Sequence, residues 1–143
     1  MKIFIATSFS KKVDYSTGKV YPEFRQWLEG NVLKPIKELG LDYFCAIERE
    51  GWVINSVDPA QAVTENFNNL KNCDMLLVIL DQEVSAGLQM EIGIAYERKM
   101  PTILAHEKDV KPSWYNQTLI DAGFAKELIL PITKDKLSGI LKH

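Results

Sequence analysis

Short apolar runs and helix-period stripes alternate along the chain. Lys2 to Ala6 reads as a short buried strand that ends in the polar turn Thr7-Ser8-Phe9-Ser10. A loop rich in Lys, Ser, Thr and Gly runs to about Val20. Pro22 suits the first turn of a helix, and Phe24, Trp27, Leu28 and Val32 recur at helical spacing after it. Pro35 is expected to kink or interrupt that helix, and Gly40 suits its C-terminal cap. Residues 42–47 make a second strand candidate, and 48–57 read as loop. Asp58-Pro59-Ala60-Gln61 places cap-forming residue types at N-cap, N1 and N3, so a helix starts there with Val63, Phe67 and Leu70 as its stripe. The clearest strand covers 75–81, where the apolar run from Met75 to Leu80 demands burial on both faces. A helix over about 87–99, a strand over 101–105, a looser, partly helical segment over 113–123, a short strand over 128–130 and a final helix over 134–142 complete the pattern.

Strands alternating with helices predict an α/β fold. The expected architecture is a three-layer sandwich with a five-stranded, mostly parallel sheet, flavodoxin-like or Rossmann-like, spanning 1–143 as a single domain. Ligands in such sheets bind beyond the carboxyl ends of the strands, which selects the loops 7–10, 47–57 and 81–87. With 46% hydrophobic and 25% charged residues the composition is that of a globular chain. Seventeen basic against nineteen acidic residues leave a net charge of −2, which argues against a nucleic-acid polymer or an anionic membrane as partner. The longest aliphatic run is too short to span a bilayer, and the N-terminal one too short for a signal peptide. Cys45 and Cys73 form no CxxC, so neither a zinc site nor a disulfide framework is suggested, and a reduced cytoplasmic location is expected. No GxGxxG, GxxxxGK[ST] or GxSxG is present, and His106 and His143 lack ligand spacing. No cofactor and no metal are therefore expected.

The segment from Asp81 to Tyr96 carries candidate chemistry. Gly87 opens a helix at the carboxyl end of the central strand. Glu91 sits about one turn in, where the helix dipole favours a carboxylate by about 0.3–1 kcal/mol. Leu88, Ile92 and Ala95 define the face against the sheet, and Glu91 flanks it by about 60–70°. Ser85 and the free N–H groups of the helix start form an anion site. A carboxylate beside an anion site suits a sugar-phosphate glycosidase. The competing reading is an ordinary helix acid, with Gly93 allowing close packing on the sheet. Met90 and Ile94 form a second apolar patch that a subunit interface would bury. Thr7, Ser8 and Ser10 suit phosphate binding or ordinary turn chemistry, and Trp52 suits base stacking or packing on its own loop.

Ser85-x-Gly87-x-x-x-Glu91-Ile92-Gly93-x-Ala95, followed by Lys99-x-Pro101 and a buried strand, resembles the nucleoside 2-deoxyribosyltransferase family. At Ser85 it is more similar to the branch that hydrolyses the N-glycosidic bond of nucleoside 5′-monophosphates. The order of elements is similar over most of the chain, and the specific part covers 74–103. The resemblance implies a nucleoside or nucleotide as the small-molecule partner. It implies that Glu91 attacks the anomeric carbon, expels the base and forms a glycosyl-enzyme, which water or a second base resolves. It implies that the backbone at Gly87 approaches the sugar, and that Ser85 donates to a phosphate where transferases carry an aspartate; a helix N-cap is the alternative reading of Ser85. Thr7, Ser8, Phe9 and Asp81 join the substrate-binding set. Asn116 matches an asparagine that reaches the sugar in a neighbouring subunit's site, so a homodimer or higher homo-oligomer with shared sites is implied; a loop-capping role is its alternative. Two positions depart from the family pattern. Phe4 stands where a tyrosine hydroxyl bonds the nucleophile. Asn66 stands where an aspartate handles the base or its leaving-group proton, and an amide is no general acid. Tyr43, Asp81 and Glu48 are candidate substitutes, and a non-catalytic nucleotide-binding or interaction module is the alternative function.

Overall fold

The structure is a computed structural model that describes residues 1–54, 58–82 and 85–142. Its elements, in chain order, are β1 (Lys2–Thr7), β2 (Val13–Asp14), β3 (Lys19–Val20), α1 (Pro22–Leu28), a π-helical turn (Glu29–Leu33), α2 (Lys34–Glu38), β4 (Asp42–Cys45), α3 (Ala46–Arg49), α4 (Pro59–Lys71), β5 (Met75–Ile79), α5 (Ala86–Glu97), β6 (Thr102–His106), α6 (Trp114–Asp121), β7 (Ala125–Ile129) and α7 (Lys134–Leu141). Five of these strands form one parallel sheet in the order β4-β1-β5-β6-β7, the flavodoxin-like arrangement. Strands β2 and β3 form a separate antiparallel hairpin.

Every residue of β5 is buried, as its unbroken apolar run demands. Alternate residues of β1 and β5 feed opposite cores. Ile3, Ile5, Leu77 and Ile79 pack with Leu28, Val32, Leu33, Ile36 and Leu137 on one face. Phe4, Ala6, Leu76 and Val78 pack with Leu70, Leu88, Ile92 and Ala95 on the other. Asp74 sets the register: its N–H donates to the Lys2 carbonyl at 2.8 Å, and its Oδ2 accepts from the Lys2 N–H at 2.7 Å. Thr7 thereby lies opposite Ile79 at the carboxyl ends of the two strands. Right-handed crossovers send α1 and α5 to opposite faces, so a crevice opens where β1 and β5 part.

Local chemistry explains where the pattern holds and where it does not. The Asp58 side chain accepts from the Gln61 N–H at 3.2 Å, and α4 begins at Pro59. Its stripe holds at Leu70, but Val63 is exposed. The helix carrying Pro35 runs from Pro22 to Glu38 without a break and widens into the π-helical turn just before the proline. Proline has no N–H to offer the Asn31 carbonyl, and the Ile132 N–H takes that place at 2.9 Å. Two short elements escape a periodicity reading: the hairpin β2–β3, and α3, which ends the predicted 42–47 strand at Cys45. The last strand starts at Ala125, three residues before its apolar part, because Lys126 and Glu127 are exposed on the edge of the sheet.

Truncation separates the buried strand from the exposed helix face. Leu77→Ala should cost about 2–5 kcal/mol in denaturant unfolding, the range for a buried leucine. Val63→Ala should stay within about 0.5 kcal/mol.

Candidate active site

Helix α5 presents Leu88, Ile92 and Ala95 to the sheet, and Glu91 lies on the flank of that face. Its side chain borders a cavity of about 50 Å³ formed with Phe4, Ala6, Thr7, Phe9, Ala46, Ile47 and Asn66. Glu91 Oε2 and Asn66 Oδ1 are both shielded from solvent and have no hydrogen-bond partner among the described residues. Burial alone pushes the Glu91 carboxyl up to about 7. At neutral pH it is therefore close to half ionised. Its anion, where formed, is poorly solvated and not neutralised by a partner.

The sheet register brings Glu91, Asn66, Thr7 and Phe9 to one cavity. It also places Phe4 there, so the position without the family hydroxyl does adjoin the carboxylate. Thr7 borders a second, larger pocket of about 400 Å³ as well, on the side of α1. Ser8 and Asp81 line that pocket, with Asp81 paired to Lys12 at 3.3 Å. Asp81 also borders a small cleft of about 60 Å³, shared with Ser85 and Asn116. The predicted residues other than Gly87 thus occupy three adjoining depressions over the ends of β1 and β5, linked by Thr7 and Asp81; Gly87 lines none of them.

Several of the side chains singled out in the sequence are engaged within the chain. Ser85 caps α5, which begins at Ala86, and its Oγ accepts from the Leu88 N–H at 3.4 Å. Asn116 is buried, and its amide exchanges two 3.1 Å hydrogen bonds with Gln89 of the same chain. Gly93 has open space where a Cβ would stand, so close packing does not explain it. A Cβ at Gly87 would meet only Ser85 Oγ, at 3.7 Å. Trp52 is buried in the α1-side core, with Arg25 4.9 Å from its ring, and does not stack on a base. Tyr43 donates to Glu48 at 2.7 Å, and neither borders the Glu91 cavity. Parts of the loops 47–57 and 81–87, residues 55–57 and 83–84, lie outside the described residues.

The larger pocket adds residues that the sequence reading passed over. Tyr21, Phe24 and Trp27 line it, and Glu107 accepts a hydrogen bond from the Trp27 indole. Glu107 follows the end of β6, so the carboxyl-end rule selects its loop as readily as the other three. Trp27 is half-buried, and a helical stripe does not separate a pocket wall from core. No group of three metal-ligating residue types gathers among the described residues. No helix among them is long and apolar enough to cross a membrane.

No known family and no curated protein matches the sequence. Solved structures do. The CMP N-glycosidase BcmB of Clostridium botulinum superposes with a TM-score of 0.63 at 16% identity, covering 99% of this chain and 96% of that one. A 2-deoxyribosyltransferase of Bacillus psychrosaccharolyticus gives 0.60 at 15% identity, with 80% and 79% covered. BlsM gives 0.71 at 19% identity, with 98% and 85% covered. The chain has their fold.

The buried carboxyl makes a stability prediction. A carboxyl raised to about 7 in the folded state binds protons that the unfolded chain has released. Its penalty is absent below about pH 4.5, grows as pH rises towards 7, and is constant above. Glu91→Gln removes that dependence. The stability of the variant relative to the parent should rise by about 3 kcal/mol between pH 4 and pH 8 in denaturant unfolding. A difference that does not change with pH would mean that the carboxylate is solvated.

Proposed function

We propose that the chain cleaves or transfers at the N-glycosidic bond of a nucleoside or nucleoside 5′-monophosphate, with Glu91 as the nucleophile. The observation that carries this reading is a desolvated, unpartnered carboxyl at the switch point of a parallel sheet, next to a pocket large enough for a nucleotide. The likeness to a CMP N-glycosidase and a 2-deoxyribosyltransferase supports it.

In the proposed reaction Glu91 Oε2 attacks the anomeric carbon. The bond to the base breaks, and its electron pair leaves with the base, which takes up a proton. A glycosyl ester with Glu91 results. Water attacks the same carbon from the vacated side and gives a proton to solvent, replacing the one the base took up; the carboxylate departs, and the configuration is retained. In transfer a second base replaces the water. Burial helps the first step, because the carboxylate gains more from bonding to carbon where it is poorly solvated. Asn66 Oδ1 can accept from a sugar hydroxyl or the water but has no proton to give. Ser85 and the N-terminus of α5 face the small cleft, which suits a 5′-phosphate.

Exposed Met90, Tyr96, Trp114 and Tyr115 on α5 and α6 suit burial against a second copy of the chain. A non-catalytic nucleotide-binding module is the second reading, favoured by Phe4 and Asn66.

Released base is the readout. With nucleosides and their monophosphates as substrates, Glu91→Ala and Glu91→Gln should lose at least ~10³-fold while the chain stays folded. Substantial activity in either variant would rule out the covalent route. Ser85→Ala should weaken a monophosphate by about 1–2 kcal/mol and leave the nucleoside unaffected. Equal losses for both would leave Ser85 as a helix cap only.

A further inference from the structure

The 400 Å³ pocket lies on the α1 side of the sheet, whereas Glu91 packs on the α5 side. Its aromatic wall contains two nearly parallel rings: Phe24 and Trp27 stand 6.2 Å apart with planes 18° from each other. At the edge of the Trp27 ring the Glu107 carboxylate accepts from the Trp27 Nε1–H at 2.5 Å through Oε1. That bond fixes the carboxylate and leaves Oε2, and further lone pairs on Oε1, directed at other donors. The charge balance is acidic. Glu23 and Glu107 both line the pocket, and Lys12, the cation among its described lining residues, is paired with Asp81. A phosphate is unfavourable there. A flat ring with N–H donors on its edge is favourable, because it can lie against the rings and donate to the carboxylate.

We propose that this pocket binds a flat heterocycle bearing an exocyclic amino group, and that Glu107, positioned by Trp27, accepts a hydrogen bond from that group. If the proposed glycosidic function holds, the heterocycle is the base. The pocket and the Glu91 cavity share Thr7, so a ligand crossing that residue puts its ring on one side and its sugar on the other. The binding site itself stands on the pocket's own residues and needs no turnover. A carboxylate discriminates by sign: an amino group donates to it, and an oxo group in the same place repels it.

The test uses the full chain and ligands that differ in one group. Guanosine and inosine differ by the 2-amino group; cytidine carries an amino group where uridine carries an oxo group. The Glu91→Gln chain prevents consumption of the ligand. In ¹H–¹⁵N spectra the Trp27 indole signal is identified as the one lost in Trp27→Phe. Guanosine or cytidine should shift that signal and bind at least about tenfold more tightly than its partner compound. Glu107→Gln should reduce the preference to less than about threefold while the fold, judged by the remaining signals, is retained. The proposal is overturned if no ligand moves the Trp27 signal, if both pairs bind equally, or if Glu107→Gln leaves the preference intact. Base release without any Trp27 shift would remove this pocket and spare the glycosidic reading. Binding with the predicted preference, but no base release by the parent chain, would remove the glycosidic reading and spare the pocket.

Discussion

Strand β5 offers no face to water, and the arrangement around it follows from how that burial is completed. Two parallel neighbours satisfy its backbone. Helices must then cover both faces, because leucines and valines alternate to either side. Handed crossovers allow this only if the chain leaves β1 towards one face and β5 towards the other. The crevice at the ends of these two strands is thus a by-product of burying five apolar residues. Thr7 and Asp81 stand at that crevice, since Thr7 ends β1 and Asp81 closely follows β5.

The same packing creates the energetic tension at Glu91. Its neighbours along α5 are committed to the sheet, so a residue one position before Ile92 cannot turn fully into solvent. A carboxyl in that place costs stability once it ionises, and no cation among the described residues relieves it. A glutamine would serve packing better. A group that is costly for the fold and central to a cavity is the usual mark of selection for chemistry over stability.

Polar ties restrict the depressions around it. Gln89 and Asn116 lock α5 to α6 through a closed amide pair, so neither amide is free for a ligand without breaking the other's bonds. Lys12 and Asp81 neutralise one another across the mouth of the larger pocket. What remains unsatisfied is Glu91 Oε2, Asn66 Oδ1 and the spare acceptor capacity of Glu107. The strand ends separate these groups into an α5-side pair and an α1-side carboxylate.

The sequence by itself determined what depends on neighbours in the chain. Apolar runs and stripes placed the sheet strands and the main helices. Asp58 marked the start of α4, and the spacing of Leu88, Ile92 and Ala95 put Glu91 beside a packed face. The short hairpin and α3 fell below that resolution, because two or four residues carry no period. The resemblance of 74–103 pointed to Glu91, and its departures at Phe4 and Asn66 could be seen residue by residue. Only the tertiary structure decided what depends on residues far apart in the chain. The parallel register set Phe4 and Asn66 against Glu91. The α5–α6 contact joined Asn116 to Gln89, twenty-seven positions apart. The approach of α1 to the end of β6 joined Trp27 to Glu107, eighty positions apart. Periodicity reports which face of an element is buried, but not which element lies opposite, and a site is made of what lies opposite.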